Sequence, residues 1–187
     1  MGLFRFWDEE KTMIREVSLF RRGKKQIRIP EGITNIGYDA FRKCQKLREV
    51  EIPATVTNIG ANAFNGCACL ESVTLPDSVI GVGDYTFAFC IGLTAVTLSK
   101  GLKEIAPWMF AACRNLTSVE IPEGVTAIGD NAFAVCNGLS SVRIPDSVGR
   151  IGAKAFTGCG ALASVEVPAA AEIAPDAFPA TCRLIRR

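Results

Sequence analysis

The sequence predicts a repeat solenoid, an arc with a parallel β-sheet on one face and short helical or 3-10 turns on the other. Three observations predict it: phenylalanine recurs at intervals of 23 residues, cysteine follows each one three residues later, and a Leu-x-x-Val-x-Ile segment follows each cysteine. A unit of this length cannot bury its own apolar face, but stacked units share one continuous core. The chain of 187 residues has room for seven such coils, of which the last is degenerate.

Two sets of recurring residues define the unit, which is Pro-x-x-Val-x-x-Ile-Gly-x-x-Ala-Phe-x-x-Cys-x-x-Leu-x-x-Val-x-Ile. The phenylalanines are Phe41, Phe64, Phe87, Phe110, Phe133 and Phe156, with Phe178 following after 22 residues. The cysteines are Cys44, Cys67, Cys90, Cys113, Cys136 and Cys159, with Cys182 at an offset of four.

Residues 1–29 are predicted to form an N-terminal cap, and residues 30–187 the solenoid. Ile14-Arg-Glu-Val17-Ser-Leu19 copies the strand pattern of later units, yet only ten residues separate Val17 from Ile27, so a full coil does not fit. We therefore expect a β-hairpin over about 14–29 whose outer strand covers the first edge of the sheet. The turn of this hairpin carries four basic residues, Arg21, Arg22, Lys24 and Lys25. Such a cluster suits peripheral contact with an acidic partner or an anionic membrane surface, and it also suits a solvated turn.

Within each unit, Leu-x-x-Val-x-Ile ends in an alternation of apolar and polar residues, which predicts a short strand with one buried face. Proline then ends the strand in every complete unit except one, where Ser99 stands in its place. The spacing of three to four residues in Ala-Phe-x-x-Cys-x-x-Leu predicts a helical or 3-10 turn that faces the same interior. The glycine of each Ile-Gly pair, such as Gly60 or Gly129, marks a shared corner where a positive φ is one reason for glycine.

The C-terminal unit differs from the others. After Val165-Glu-Val167-Pro168 it loses one residue, gains Pro175 and Pro179, and ends in a basic segment. We expect the strand at 164–167 to keep a partly open edge, which either accepts a partner or indicates a chain cut from a longer array. Protection of the edge by the terminal arginines and the prolines is the alternative.

Composition excludes several function classes. The chain has no histidine, which removes Ser-His-Asp and Cys-His nucleophile systems and imidazole metal ligands. A net charge of +2 is too small to indicate a nucleic-acid partner. Gly, Pro or a charge interrupts every apolar run, so no membrane span is expected. No secretion signal is visible, which favours an intracellular location, with the extracellular surface as the alternative.

The eight cysteines are expected to be mainly buried free thiols. Stacking places the repeated cysteines one above another with parallel side chains, which is not the facing geometry of a disulfide. A free cysteine is well suited to a small buried slot. Cys67-Ala-Cys69 is the only closely spaced pair, and it lacks the second pair typical of a zinc site, so no metal or other cofactor is expected.

Two stretches resemble the BspA-like subclass of leucine-rich repeats: 70–79, Leu-Glu-Ser-Val-Thr-Leu-Pro-Asp-Ser-Val, and 128–136, Ile-Gly-Asp-Asn-Ala-Phe-Ala-Val-Cys. The resemblance covers residues 27 to 185. It implies a right-handed curved solenoid of a kind common in bacterial surface proteins and in unicellular eukaryotes, which binds other macromolecules and is not an enzyme. It does not imply a particular ligand, since members bind different partners through positions that vary between repeats.

One variable set lies on the turn side of the central coils. The two residues between the repeated Phe and Cys are polar or small in the outer coils, but they are Ala88-Phe89, Ala111-Ala112 and Ala134-Val135 in the middle. Aromatic residues also occupy one repeat position in two adjoining coils. The predicted partner-binding residues are Tyr85, Phe89, Ile91, Trp108, Ala112 and Val135, although local packing of the turns would also make them apolar.

A second set lies on the exposed face of the strands, where the central column includes Glu120, Arg143 and Glu166. Neighbours on one face of a parallel sheet can pair with each other, and the same charges are a secondary candidate for partner contact. Taken together, the sequence predicts a non-enzymatic protein-protein interaction module that acts as a scaffold or accessory subunit of a larger assembly. The alternative is a surface adhesion module cut from a secreted protein of the same kind.

Overall fold

The computed structural model describes residues 12–14 and 23–187. In this part of the chain each coil contributes two short strands, and successive coils stack in parallel. The first row of strands, which we call the front row, contains the Val-x-Ile segments. Its members are β2 (Gln26–Arg28), β4 (Glu49–Glu51), β6 (Ser72–Thr74), β8 (Ala95–Thr97), β10 (Ser118–Glu120), β12 (Ser141–Arg143), β14 (Ser164–Val167) and β16 (Arg183–Arg186).

The second row follows each proline turn and contains the residues that precede the Ile-Gly corner. Its members are β1 (Met13–Ile14), β3 (Asn35–Ile36), β5 (Asn58–Ile59), β7 (Gly81–Val82), β9 (Glu104–Ile105), β11 (Ala127–Ile128), β13 (Arg150–Ile151) and β15 (Glu172–Ile173). Pairing is parallel and follows the sequence period, as in Val119 beside Val142 and Ile128 beside Ile151. The predicted solenoid of about seven coils with a parallel sheet is therefore confirmed.

A column of phenylalanine rings forms the centre of the core. All seven repeated rings stack face to face, with centroids 4.7 to 5.5 Å apart and planes within 11° of parallel. The six from Phe41 to Phe156 are fully buried. Each such pair stabilises the stack by ~0.5–1.5 kcal/mol beyond the area that it buries.

The cysteine column lies beside the rings and bonds to the preceding coil. The Cys67 thiol donates a hydrogen bond to the carbonyl oxygen of Phe41 at 3.2 Å, and Cys90 does the same to Phe64 at 3.3 Å. Three further thiols repeat this contact, those of Cys113, Cys136 and Cys159. The slot therefore selects cysteine over alanine or valine because it needs a small apolar group that also carries a weak donor.

Burial keeps these thiols protonated. Desolvation raises the pKa of Cys90 and of Cys159 to about 12, and it raises the pKa of Cys113 well above the ordinary value of 9.0. Cys69 is exposed and Cys182 is half-buried, so these two lie outside the protected column.

The predicted helical or 3-10 turn is not confirmed, because residues 12–14 and 23–187 contain no helix, and hence none that could cross a membrane. The Ala-Phe-x-x-Cys stretch is instead a series of tight turns. The Arg42 amide donates to the Asp39 carbonyl three residues back at 3.0 Å, whereas the neighbouring Phe41 amide donates to Ala63 of the next coil at 2.7 Å. A helix would direct every amide into its own coil.

This alternation requires two left-handed residues in every complete coil, one two positions before the repeated phenylalanine and one two positions after it. We call them the first and second left-handed columns. Their φ angles lie between +56° and +74°. The first column is Asp39, Asn62, Tyr85, Trp108, Asn131 and Lys154, and the second is Lys43, Gly66, Phe89, Ala112, Val135 and Gly158.

Glycine is required at the Ile-Gly corner for a reason other than a positive φ. A Cβ on Gly60 would lie 2.7 Å from the Tyr38 backbone nitrogen, and one on Gly83 would lie 2.5 Å from that of Ala61. Close approach between successive coils, and not left-handed backbone, therefore excludes a side chain at these corners.

The two ends of the array are described to different extents. At the N-terminal end, Ile14, the first residue of the predicted hairpin, lies in parallel register with Ile36, and its side chain is buried in the core. The rest of the predicted cap, including Arg21 and Arg22, falls outside the described residues, apart from the exposed Lys24 and Lys25.

At the other end, the predicted open edge at β14 is wrong, because β16 pairs with it in parallel over four residues. Arg187 anchors this last strand through an ion pair with Asp146 at 2.6 Å. The terminal arginines thus hold a covering strand and do not protect a bare edge.

Candidate partner-binding site

The back patch is the set of predicted contact residues on the turn side, Tyr85, Phe89, Ile91, Trp108, Ala112 and Val135. Five of the six occupy left-handed positions. The sixth, Ile91, directly follows the repeated cysteine Cys90. The patch spans three consecutive coils, which lie about 4.8 Å apart.

The left-handed backbone makes these residue types costly. A non-glycine residue in this conformation loses ~1–2 kcal/mol, and only Gly, Asn and Asp adopt it routinely. Four of the six positions in the outer coils follow this rule, namely Asp39, Asn62, Gly66 and Gly158, and the other two are lysines. The central coils place Tyr, Trp, Phe and Val at the same positions, so the backbone works against the residues that are present.

The outer ring of the patch is exposed. The exposed fractions of Phe89, Ile91 and Val135 are 54%, 45% and 40%. These are three of the few large apolar residues left open to solvent in the described part of the chain. Large apolar groups clustered on one face are typical of an interaction surface.

The aromatic pair of the first left-handed column is half-buried and has a packing role. The Tyr85 and Trp108 rings stack at 5.3 Å with planes 10° apart. Beneath them lies a small separate cluster of buried alanines, Ala88, Ala111 and Ala134. The pair also spans a place where the second row is interrupted, since β7 and β9 belong to different sheets.

Ala112 does not provide the contact surface that the sequence suggested. It is 7% exposed because it lies in the second left-handed column between the larger Phe89 and Val135. The surface that a partner can reach is therefore Phe89, Ile91 and Val135, with the rims of Tyr85 and Trp108.

A groove adjoins the patch on its N-terminal side and was not apparent from the sequence. It has a volume of about 500 Å³. Its lining residues are Arg42, Lys43, Gln45, Asn62, Asn65, Gly66, Tyr85 and Phe89. The signal that could have located it is Gly66, whose missing side chain leaves a gap between Lys43 and Phe89 in the second left-handed column.

The secondary candidates on the front row are engaged with each other or with neighbours. Arg143 donates to Glu120 at 2.7 Å and lies 3.8 Å from Glu123. Glu166 lies 3.4 Å from Arg187 and not against Arg143. These side chains are mostly exposed, so each pair contributes at most ~1 kcal/mol. Among residues 12–14 and 23–187, no three His, Cys, Asp or Glu side chains gather closely enough to hold a metal ion.

The sequence matches a family model described as BspA type leucine rich repeat region, over residues 13–136 and 57–185. The sequence matches no curated protein. Leucine-rich-repeat proteins are generally protein-interaction or adhesion modules and are typically not enzymes.

Solved structures of bacterial leucine-rich repeat proteins share the fold. One from Bacteroides ovatus has 35% identity and a TM-score of 0.82, over 95% of this chain and 48% of its own. One from T. pallidum has 29% identity and a TM-score of 0.76, over 83% and 75% of the two chains. A leucine rich cell surface protein from Faecalibacterium prausnitzii has 29% identity and a TM-score of 0.61, over 92% and 51%. The chain thus spans about half the length of several structures that it matches.

Proposed function

The chain belongs to the BspA-type leucine-rich repeat family, and from that premise we propose that it is a non-catalytic protein-binding module whose contact surface is the back patch. In this proposal it serves as a scaffold or accessory subunit of a larger assembly. The exposed residues Phe89, Ile91 and Val135 make the contact, and the stacked Tyr85 and Trp108 support it.

One observation carries the proposal: bulky apolar residues occupy left-handed positions in three consecutive central coils. Folding alone would favour Gly, Asn or Asp there, as in Asn62, Gly66 and Asn131. Unfavourable backbone conformations persist where function needs them, and they cluster at binding and active sites. Large aromatic residues at the centre of a contact usually account for most of its binding energy.

Copurification with matched variants tests the proposal. Phe89→Ser removes an exposed member of the patch, and Ile80→Ser removes an equally exposed apolar residue beside β7 in the second row, since Ile80 is 60% exposed. Both variants should retain the wild-type circular dichroism spectrum. We expect a protein that copurifies with wild type and with Ile80→Ser to be lost with Phe89→Ser. Equal recovery with all three would show that the contact lies elsewhere, and the front-row residues Glu120, Arg143 and Glu166 would be examined next.

A second candidate function is surface adhesion. It is favoured by the relative from Faecalibacterium prausnitzii, which is described as a cell surface protein. Antibodies against the folded chain distinguish the two roles. Labelling of intact source cells supports adhesion, whereas labelling that requires permeabilised cells supports the scaffold role.

A further inference from the structure

We propose that the partner segment that covers the back patch is acidic, and that one of its carboxylates enters the groove between Lys43 and Phe89. This inference rests on the proposed function and adds the chemical character of the partner. The groove continues the patch directly, because Tyr85 and Phe89 line both.

The lining of the groove is cationic on one side and aromatic on the other. Arg42 and Lys43 form the first wall, Tyr85 and Phe89 the second, and no carboxylate is among the lining residues. The Arg42 guanidinium is already engaged, since it lies 3.1 Å from the Asp39 carboxylate. Lys43 is exposed and has no ion pair with any residue that the structure describes, so its charge remains available to an incoming anion.

The floor of the groove is polar and lacks bulk. Gly66 leaves the space open, and the Asn65 amide nitrogen donates to the Asn62 side-chain oxygen at 2.8 Å. That bond uses one of the two Asn65 N–H donors. A carboxylate at this depth could therefore receive a charged donor from Lys43 and a neutral one from Asn65, while the adjoining methylene groups pack against Phe89.

The rim of the patch repeats the same charge preference. Arg114 stands one coil beyond Ile91 at the same repeat position, and Lys154 stands in the first left-handed column beyond Trp108. Both are exposed, and neither forms an ion pair within residues 12–14 and 23–187. On the acidic side, Asp84 is exposed, whereas Asp130 faces Arg150 at 3.9 Å. The Asp176 carboxylate accepts a hydrogen bond from the Lys154 backbone amide at 3.3 Å, so Lys154 stands beside an acid. Lys43 and Arg114 against the exposed Asp84 leave the margin of this apolar surface with a small cationic excess, which complements a partner that is apolar and acidic.

The test uses a phage-displayed library of short random peptides, selected on the immobilised full chain. Enriched peptides are synthesised with a fluorescent label, and their Kd is measured by anisotropy for wild type and three variants. Phe89→Ser removes the most exposed side chain of the patch, Lys43→Glu reverses the charge in the groove, and Lys103→Glu makes the same charge change at an exposed site beside β9. A peptide in which the key carboxylate is replaced by lysine completes a charge swap.

We expect enriched peptides to carry an excess of Asp and Glu beside apolar residues, and to lose binding with Phe89→Ser. Lys43→Glu should weaken binding by about tenfold or more and Lys103→Glu should leave it unchanged, since only the first charge faces the ligand. The lysine-containing peptide should recover binding to Lys43→Glu. Peptides that depend on Phe89 but show no acidic excess or no response to Lys43→Glu would overturn this inference and leave the proposed function standing. If no enriched peptide depends on Phe89, both are wrong.

Discussion

Replacing Gly66 by alanine measures the backbone cost on which the functional argument depends. Gly66 has a φ of +74° in the second left-handed column, where the central coils hold Phe89 and Val135. A Cβ at this position would meet the Lys43 Cγ at 3.5 Å, which is ordinary van der Waals contact. The substitution therefore introduces little steric conflict, and its effect on stability reports the left-handed conformation.

The expected magnitude follows from two opposing contributions. Left-handed backbone costs a non-glycine residue ~1–2 kcal/mol in the folded state. Alanine also restricts the unfolded chain, which returns ~0.4–1 kcal/mol. We therefore expect Gly66→Ala to lower the free energy of unfolding by about 1 kcal/mol.

Gly160→Ala is the matched control. Gly160 is a more exposed glycine on the turn side, its φ is not in the left-handed region, and a Cβ there would have no neighbour within 4 Å. It should leave stability unchanged or raise it by up to ~1 kcal/mol. Urea denaturation followed by circular dichroism measures both. If Gly66→Ala is as stable as Gly160→Ala, the left-handed columns impose no penalty, and the residues of the back patch need no functional explanation.

Three further predictions concern the core, the thiols and the front row. Phe110→Ala should lower the free energy of unfolding by ~3–5 kcal/mol, because the buried Phe110 ring stacks on both sides. Phe178→Ala should lower it by less, because Phe178 lies at the end of the ring column and is only partly buried. Equal losses in denaturant titrations would contradict the stacked core. Cys69 should react quickly with Ellman's reagent, whereas Cys90 should react only on unfolding. The free energy of unfolding should be constant below the ordinary thiol pKa of 9.0. It should fall as the pH rises toward 12, by up to ~1.4 kcal/mol per pH unit for each buried thiol, because the thiols of the unfolded chain ionise first. A flat alkaline profile would argue against burial of the column. Arg143→Ala should change stability by less than ~1 kcal/mol in the same denaturation assay, and a larger loss would show that the front-row pairs are structural.

The repeat period was sufficient to predict the solenoid. A buried phenylalanine every 23 residues and a Val-x-Ile strand after each cysteine can be satisfied together only by parallel stacking, and Val119 beside Val142 has the predicted register. The burial of the cysteine column was predictable for the same reason. Its hydrogen bonds to the phenylalanine carbonyls were not, because they depend on how far one coil is shifted against the next.

The turn side was harder to predict because apolar spacing does not distinguish a helix from tandem tight turns. Both bring residues three or four apart to the same interior. The distinguishing signal was the recurrence of Asn, Asp and Gly two residues before or after the phenylalanine, as in Asn62 and Gly66, which indicates left-handed backbone. Only when these positions are recognised as left-handed do Tyr85, Trp108 and Val135 stand out as unusual residues.

The C-terminal end of the array was mispredicted, and the N-terminal hairpin stays a prediction because residues 15–22 lie outside those that the structure describes. Ile14 lies 22 residues before Ile36, close to the period, but the match to a strand pattern around Val17 suggested a hairpin. At the C-terminus, Arg183–Arg186 contains too few apolar residues to signal a strand, and its pairing with β14 is supported by contacts of Arg186 and Arg187 that a local pattern cannot reveal.

Site-specific photo-crosslinking shows directly whether the back patch contacts a protein in the source cells. A photoreactive phenylalanine analogue at position 89 keeps the native shape. The same analogue at position 80 is the control, because Ile80 is similarly exposed and is not part of the back patch. We expect a discrete adduct, identifiable by mass spectrometry, from position 89 and not from position 80. No adduct from position 89, or the same adducts from both positions, would contradict it.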